Sequence, residues 1–419
     1  MTDHLVAGAA SADITPADLR GLNPFGPDWT SVHDPLRARA LVVGEGEAGE
    51  RVALVALDVV EVGDTTALRD HIEQATGIPA DHILLAPSHA HNSPRVGLVP
   101  PGGMARVPTP ESLAYTALVE DAVVTAVRAA AGRLRPVALG VASEAVDVNV
   151  CREAYADGAW GLGYAPDGLS DKTLTCVSLV GEDGAVVAVV MNYAVHSTVL
   201  LGLPEASADL AGAACAQAED LLGPGAVALW TAGSLGDQAP KVEFLSAQAA
   251  GLVTGDGGER DRAFAHRALD AQGHLLAVTA VRLARQGQRR CATAPVRGAL
   301  RVIPCPARRL DVPPGMEQAD VDTVDLTLTT LRIGPVAFAG VSGEVTVPVG
   351  HAVMAASPLA STLVVTNANA RIGYLPADES YLRHTQAADG CPIAHGHAAA
   401  TIVAGLADLV GATLDGRAA

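Results

Sequence analysis

Short, uninterrupted apolar runs that end at polar residues recur along this chain, and they constrain its fold more than any other feature. Residues 51–60 are apolar and rich in Val, the pattern of a strand buried on both faces. Residues 66–76 carry apolar side chains at helical spacing and stop before Gly77. Residues 83–86 form a second apolar run, which ends at Pro87-Ser88-His89. Residues 174–180 and 185–194 flank Gly181-Glu182-Asp183-Gly184, whose Asp-Gly marks a hairpin, and the second of these runs leads into His196. A helix over 208–222 and a strand over 226–231 follow, leading into residues 233–240. Residues 325–331 and 336–340 form another hairpin around Gly334-Pro335, pointing at Glu344. A helical stretch over 347–356 and a strand over 362–366 lead towards Tyr374. This alternation predicts an α/β fold: a mixed β-sheet core with flanking helices, in one domain over 1–419. The Gly- and Ala-rich segment 241–261 reads as a loop or lid, and helical spacing resumes over 262–285 and 398–414.

His89, His196, Glu344 and Tyr374 each follow the C-terminal end of a predicted buried strand, the edge at which open α/β sheets bind ligands. In His89-Ala90-His91 the two histidines are spaced to reach one side of an extended segment. Imidazole is the commonest protein ligand for metals, so the pair reads as a metal or catalytic site, or as two solvated loop histidines. Taken singly, His196 also reads as a structural core histidine, Glu344 as a carboxylate favoured by a helix N-terminus, and Tyr374 as an aromatic plug.

Composition excludes several partners. The formal net charge is -18, which opposes nucleic acid or an anionic membrane surface. No uninterrupted apolar stretch reaches the roughly 20 residues of a membrane helix. The opening residues lack a basic region followed by an apolar one, so a cytoplasmic location is expected. Six scattered cysteines without a C-x-x-C pair read as buried free thiols.

Several short segments, in order, resemble the catalytic domain of the neutral/alkaline (non-lysosomal) ceramidase family. Ala12-Asp13-Ile14-Thr15-Pro16 resembles that family's opening A-D-I-T-P. The segment from His33 to Ala40, HDPLRARA, resembles a stretch of its bacterial members. Ser88-His89-Ala90-His91-Asn92-Ser93-Pro94 resembles T-H-T-H-S-G-P. Asn192-Tyr193-Ala194-Val195-His196 with Ser207-Ala208-Asp209 resembles N-x-A-x-H followed by S-x-D, and Gly236-Asp237-Gln238-Ala239-Pro240 resembles G-D-x-S-P. The resemblance implies one Zn2+ held by His89, His196, Glu344 and Tyr374, and His91 beside it as an acid/base group. It further implies that Arg152 holds substrate, and that Asp237 or Asp209 orients a ligand histidine. The reaction it implies is hydrolysis of a C–N amide bond by metal-activated water, on a small-molecule amide or ester.

The chain also departs from the pattern. Where the family has Ser in G-D-x-S-P this chain has Ala239, which excludes a serine nucleophile there. The family's additional C-terminal β-sandwich has no expected counterpart here, and a second H-x-H, His395 and His397, stands in a segment that reads as a loop. With 3% aromatic residues, any acyl groove is lined by aliphatic side chains, which suits a smaller amide. Ester or lactone hydrolysis and amide-forming cyclisation use the same carbonyl chemistry and stay open, as does a non-catalytic, ligand-binding relative.

Overall fold

The apolar runs are strands because each contributes to two cores at once. In Arg51–Leu57, Val52, Leu54 and Ala56 enter one apolar cluster, while Ala53, Val55 and Leu57 enter another on the opposite face. A period of two with both faces buried leaves no polar position after Arg51 in the strand. The computed structural model describes residues 4–46, 49–286, 291–312 and 316–415.

Eight strands form the larger sheet, in the order Val227–Ala232, Val186–Tyr193, Thr173–Gly181, Arg135–Ala145, Leu5–Asp13, Arg37–Glu45, Arg51–Leu57 and Ile83–Pro87. A four-stranded sheet runs Val296–Pro306, Thr323–Ile333, Val336–Val341, Ser361–Thr366. The two sheets share one core, in which Leu54, Leu84 and Leu229 lie in the same cluster as Leu331, Phe338 and Leu363. Helices cover the outer faces. Pro110–Ala131 packs over Leu5–Asp13 and Arg37–Glu45, Asp209–Leu222 packs with Glu259–Gln286, and Val347–Ala356 packs with Ala398–Asp415 on the smaller sheet. The fold is thus mixed α/β with flanking helices, as the pattern of runs predicts.

Three parallel pairs set the direction of the strand ends. They are Arg51–Leu57 with Ile83–Pro87, Val186–Tyr193 with Val227–Ala232, and Val336–Val341 with Ser361–Thr366. The outer strands of the larger sheet, Val227–Ala232 and Ile83–Pro87, approach each other, so residues following distant strands meet at one end.

Two of the sequence motifs belong to the scaffold. Asp34 accepts hydrogen bonds from the Ser207 hydroxyl at 2.6 Å and from Ala208 N at 2.7 Å, at the start of helix Asp209–Leu222. Arg39, 4% exposed, donates to Asp58 at 2.7 Å and to Glu219 at 3.0 Å. The motif at 33–40 therefore ties its strand to the helix that follows His196.

The segment 241–261 has more structure than its composition suggests. Phe244–Ala249 is a helix whose Phe244 and Ala247 are buried, and the long helix begins at Glu259. Helix Ala398–Asp415 is long and apolar enough by composition to cross a membrane. Here it buries Ile402, Leu406 and Leu409 against the smaller sheet, and its Asp408 pairs with Arg301 at 2.7 Å. All six cysteines are free, and five are buried.

Candidate metal centre

His89 lies just beyond the strand Ile83–Pro87, and the backbone there is not extended: His89 takes φ 60°, in the left-handed region. The two H-x-H rings therefore meet by a local turn and not by strand alternation, edge to face with centroids 4.8 Å apart. His196 follows Val186–Tyr193, and the main chains of Ala90 and Ser197 bridge the two segments. Glu344 follows Val336–Val341 and pairs in register with Tyr374, on parallel two-residue strands. Four segments distant in sequence thus deliver the expected residues to one buried place.

Hydrogen bonding assigns the tautomers of the two buried imidazoles. His89 Nδ1 lies 2.6 Å from the Val60 carbonyl, and His196 Nδ1 lies 2.9 Å from the carbonyls of both Leu235 and Gln238. A carbonyl only accepts, so each Nδ1 carries the proton and each Nε2 presents a bare lone pair. These lone pairs face the same carboxylate oxygen: Glu344 Oε2 is 3.5 Å from His89 Nε2 and 3.3 Å from His196 Nε2. Both His196 Nε2 and Glu344 Oε2 are buried without a hydrogen-bond partner.

The other carboxylate oxygen is occupied. Arg371 donates to Glu344 Oε1 from Nε at 2.8 Å, its Nη2 forms an ion pair with the same oxygen at 2.7 Å, and its Nε is also 3.2 Å from Glu61 Oε2. Burial alone would raise the Glu344 pKa, but Arg371 and the imidazoles hold it well below the usual carboxylate range. Burial, followed by the charge of Arg152, lowers His196 to about 3. The centre therefore presents a carboxylate and, in His196, a neutral imidazole.

Two bare nitrogens and an anionic oxygen pointed at one another repel unless a cation lies among them. Tetrahedral bonds of about 2.0–2.1 Å imply ligand–ligand separations close to those between Glu344 Oε2 and the two nitrogens. The donors thus fit a divalent ion that accepts N and O ligands. A second group, His33, Glu205 and His266, has a similar make-up. There His266 Nε2 and Glu205 Oε2 are 2.8 Å apart, a hydrogen bond that satisfies both atoms, so nothing in it calls for a cation.

Tyr374 Oη accepts from Arg152 Nη2 at 3.0 Å, and the same Nη2 donates to the Gly236 carbonyl at 3.0 Å. Arg152 is thereby placed against a candidate ligand. His91 Nε2 is 3.2 Å from His89 Nε2, and its ring stacks on Phe25 with centroids 4.6 Å apart. Burial and the neighbouring imidazoles push the His91 pKa well below its ordinary value.

Asp237 and Asp209 stand elsewhere than expected. The Asp237 carboxylate accepts from Val347 N at 3.0 Å, at the start of helix Val347–Ala356. Asp209 accepts from Val199 N and Leu200 N at 2.9 and 2.8 Å, which pins the loop after His196. The ligand imidazoles are oriented by main-chain carbonyls, those of Val60, Leu235 and Gln238. His395 is exposed, stacks on Tyr381 and joins no metal-binding group among the described residues.

Sequence reasoning missed Arg371, Glu61 and Phe25. Arg371 had one legible signal, its place three residues before Tyr374 in a stretch of otherwise apolar or small residues. Phe25, in a Pro- and Gly-rich loop, had none.

No protein-family model and no curated protein matches this chain. Solved structures do. The neutral ceramidase from Pseudomonas aeruginosa matches with a TM-score of 0.79 and 18% identity, over 99% of this chain and 75% of that one. A ceramidase complexed with C2 matches with a TM-score of 0.77 and 18% identity, over 99% and 76%. The convergence of His89, His196, Glu344 and Tyr374 on the ends of these strands thus occurs in a chain that has the neutral ceramidase fold.

Proposed function

We propose that this chain is a zinc-dependent amidohydrolase of the neutral ceramidase kind, which cleaves a C–N amide bond with water. The observation that carries the reading is the buried, unpartnered pair His196 Nε2 and Glu344 Oε2, 3.3 Å apart. His89, His196, Glu344 and Tyr374 hold the ion. When bound, a zinc ion supplies Lewis acidity at a carbonyl oxygen and lowers the pKa of water from ~15.7 to ~7.

The remaining steps belong to the chain's own residues. His91 is neutral, lies beside the ligand set and is held by Phe25, so it can take a proton from the attacking water. It returns that proton to the leaving nitrogen as the C–N bond breaks. One amide and one water give one carboxylic acid and one amine. Arg152 fixes the Tyr374 oxygen by hydrogen bonding and places a cation next to it. Ala239 offers no hydroxyl, so a serine nucleophile at that position is excluded, which favours water.

Matched amides, esters and lactones offered to the zinc-loaded protein test this reading. Amide cleavage that disappears in Glu344→Gln, with the fold retained, is expected. Turnover of esters or lactones alone would replace the amide reading with the ester or lactone one. No turnover of any carbonyl substrate by zinc-loaded protein would leave a ligand-binding relative.

A further inference from the structure

A cavity of about 340 Å3 opens beside the metal centre, lined among others by Leu22, Glu61, Arg95, Val99, Arg106 and Leu113. It adjoins the centre in two ways. Glu61 joins Arg95 to Arg371, which holds Glu344: Arg95 Nε is 3.1 Å from Glu61 Oε1, and Arg371 Nε is 3.2 Å from Glu61 Oε2. Phe25 contacts both the Arg95 guanidinium, 5.5 Å from the ring centroid, and the stacked His91 ring.

Arg95 is incompletely satisfied. The ion pair with Glu61 is too bent to be a hydrogen bond, and Arg95 Nε and Nη1 are buried with no acceptor. A guanidinium has five N–H donors in a planar fork, and leaving buried ones unmet is costly. Glu61 cannot neutralise Arg95 fully, because it also serves Arg371. Arg106, on the same wall, has no ion-pair partner within 4.0 Å among the described residues. Glu317 also lines the cavity, but it is exposed and screened by solvent. Arg95, whose side chain stays 17% exposed, and Arg106 therefore give this cavity wall a cationic character beside the acid/base histidine. Its volume is at the small end of ligand pockets, which span about 300–1,000 Å3.

Building on the amidohydrolase reading, we propose that this cavity is a substrate subsite in which Arg95 receives a carboxylate. The substrate class is then a small amide bearing an acidic group, one half of which occupies the cavity while its carbonyl reaches the metal centre. A permanently charged guanidinium on the cavity wall favours an anionic oxygen over a neutral one.

Calorimetric titration of the zinc-loaded protein with glutarate and with its neutral diamide, glutaramide, tests the subsite directly. Glutarate is expected to bind at least tenfold more tightly than glutaramide, and Arg95→Gln to remove that preference. Arg95→Lys keeps the charge on a smaller head group and should retain part of the preference. Glutarate binding unchanged in Arg95→Gln would mean that the carboxylate sits on the metal, and would overturn the proposal. If Arg95→Gln does not fold, Leu113→Trp, at a half-exposed wall position, serves instead. It fills the cavity and should abolish glutarate binding, and persistence of binding would overturn the assignment. A hydrolytic comparison separates this proposal from the parent reading. The monoanilide of glutaric acid should be cleaved with at least tenfold higher kcat/KM than that of butyric acid. Equal cleavage of both anilides sinks the subsite and leaves the hydrolase standing. Binding of glutarate through Arg95 without cleavage of any amide does the reverse.

Discussion

His196 Nε2 and Glu344 Oε2 face each other across 3.3 Å, both buried and neither with a hydrogen-bond partner. The His196 proton lies on Nδ1, shared by the carbonyls of Leu235 and Gln238, and the donors to Glu344 all lie on Oε1. Two buried acceptors in that relation are consistent with a cation between them. Purified protein should therefore carry about one zinc per chain, the count of a single catalytic site, by elemental analysis. His89→Ala and His196→Ala should each lose it. Free zinc at 1,000 times its Kd should stabilise the fold by about 4 kcal/mol, seen as a chelator-sensitive rise in Tm. A folded, active protein free of metal would falsify the centre.

His91 competes with Tyr374 for the role of fourth ligand, since its Nε2 is only 3.2 Å from that of His89. If His91 is the acid/base group, His91→Ala keeps the metal and loses turnover by about 10²–10⁴-fold. Tyr374→Phe should then weaken metal binding. The opposite pattern, with metal lost in His91→Ala and kept in Tyr374→Phe, would exchange the two roles.

Arg371 orients Glu344 without reaching the bare nitrogens. Removing it leaves two buried carboxylates, Glu344 and Glu61, short of a partner. Arg371→Met should weaken metal binding by about 10–100-fold. It should also cost about 3–5 kcal/mol of stability, the usual result of leaving a buried charge unpaired. Competition with a chelator and urea unfolding read the two effects separately, and an unchanged metal affinity would remove Arg371 from the centre.

The Arg39–Asp58 pair, both residues under 5% exposed, tests the scaffold independently. Asp58→Ala leaves the buried Arg39 guanidinium with Glu219 as its remaining carboxylate and should cost up to about 3–5 kcal/mol in urea unfolding. Metal content at saturating zinc should stay at the parent value. Metal loss without destabilisation would contradict the scaffold role.

Asp261 clasps the turn before the long helix, accepting from Thr254 N at 3.0 Å, Thr254 Oγ1 at 2.9 Å and Gly255 N at 2.6 Å. Burial opposes its ionisation, but these hydrogen bonds prevail and lower its pKa. A depressed folded pKa means that the clasp is complete above the unfolded value of about 3.9 and is lost as pH falls through the folded one. Hydrogen exchange at 254–258 should therefore accelerate below that range. Asp261→Asn should flatten the dependence, and an identical acid profile in the variant would assign it to another group.

Much of the scaffold is legible in the sequence, because burial on both faces imposes a continuous apolar run. Helix Thr66–Thr76 agrees with its expected bounds because Gly77, at φ 74°, supplies the left-handed stop. Other elements follow from contacts that no local pattern records. Phe244–Ala249 reads as loop from its composition, yet it is a helix because Phe244 enters the core and its N–H meets the Val199 carbonyl. Asp237 adjoins the site in sequence, but its carboxylate is taken by Val347 N, a partner far along the chain.

The sequence by itself determined the kind of chemistry available: imidazoles, a carboxylate and a phenol, each just beyond an apolar run that must be buried. Only the tertiary structure decided which of their atoms face one another. A histidine's bare nitrogen is the one opposite its hydrogen-bonded nitrogen, and those bonds go to the carbonyls of Val60, Leu235 and Gln238. Likewise, which Glu344 oxygen is open depends on Arg371 taking the other. Lone-pair direction is set by partners contributed by distant segments, so it exists only once the sheets have packed.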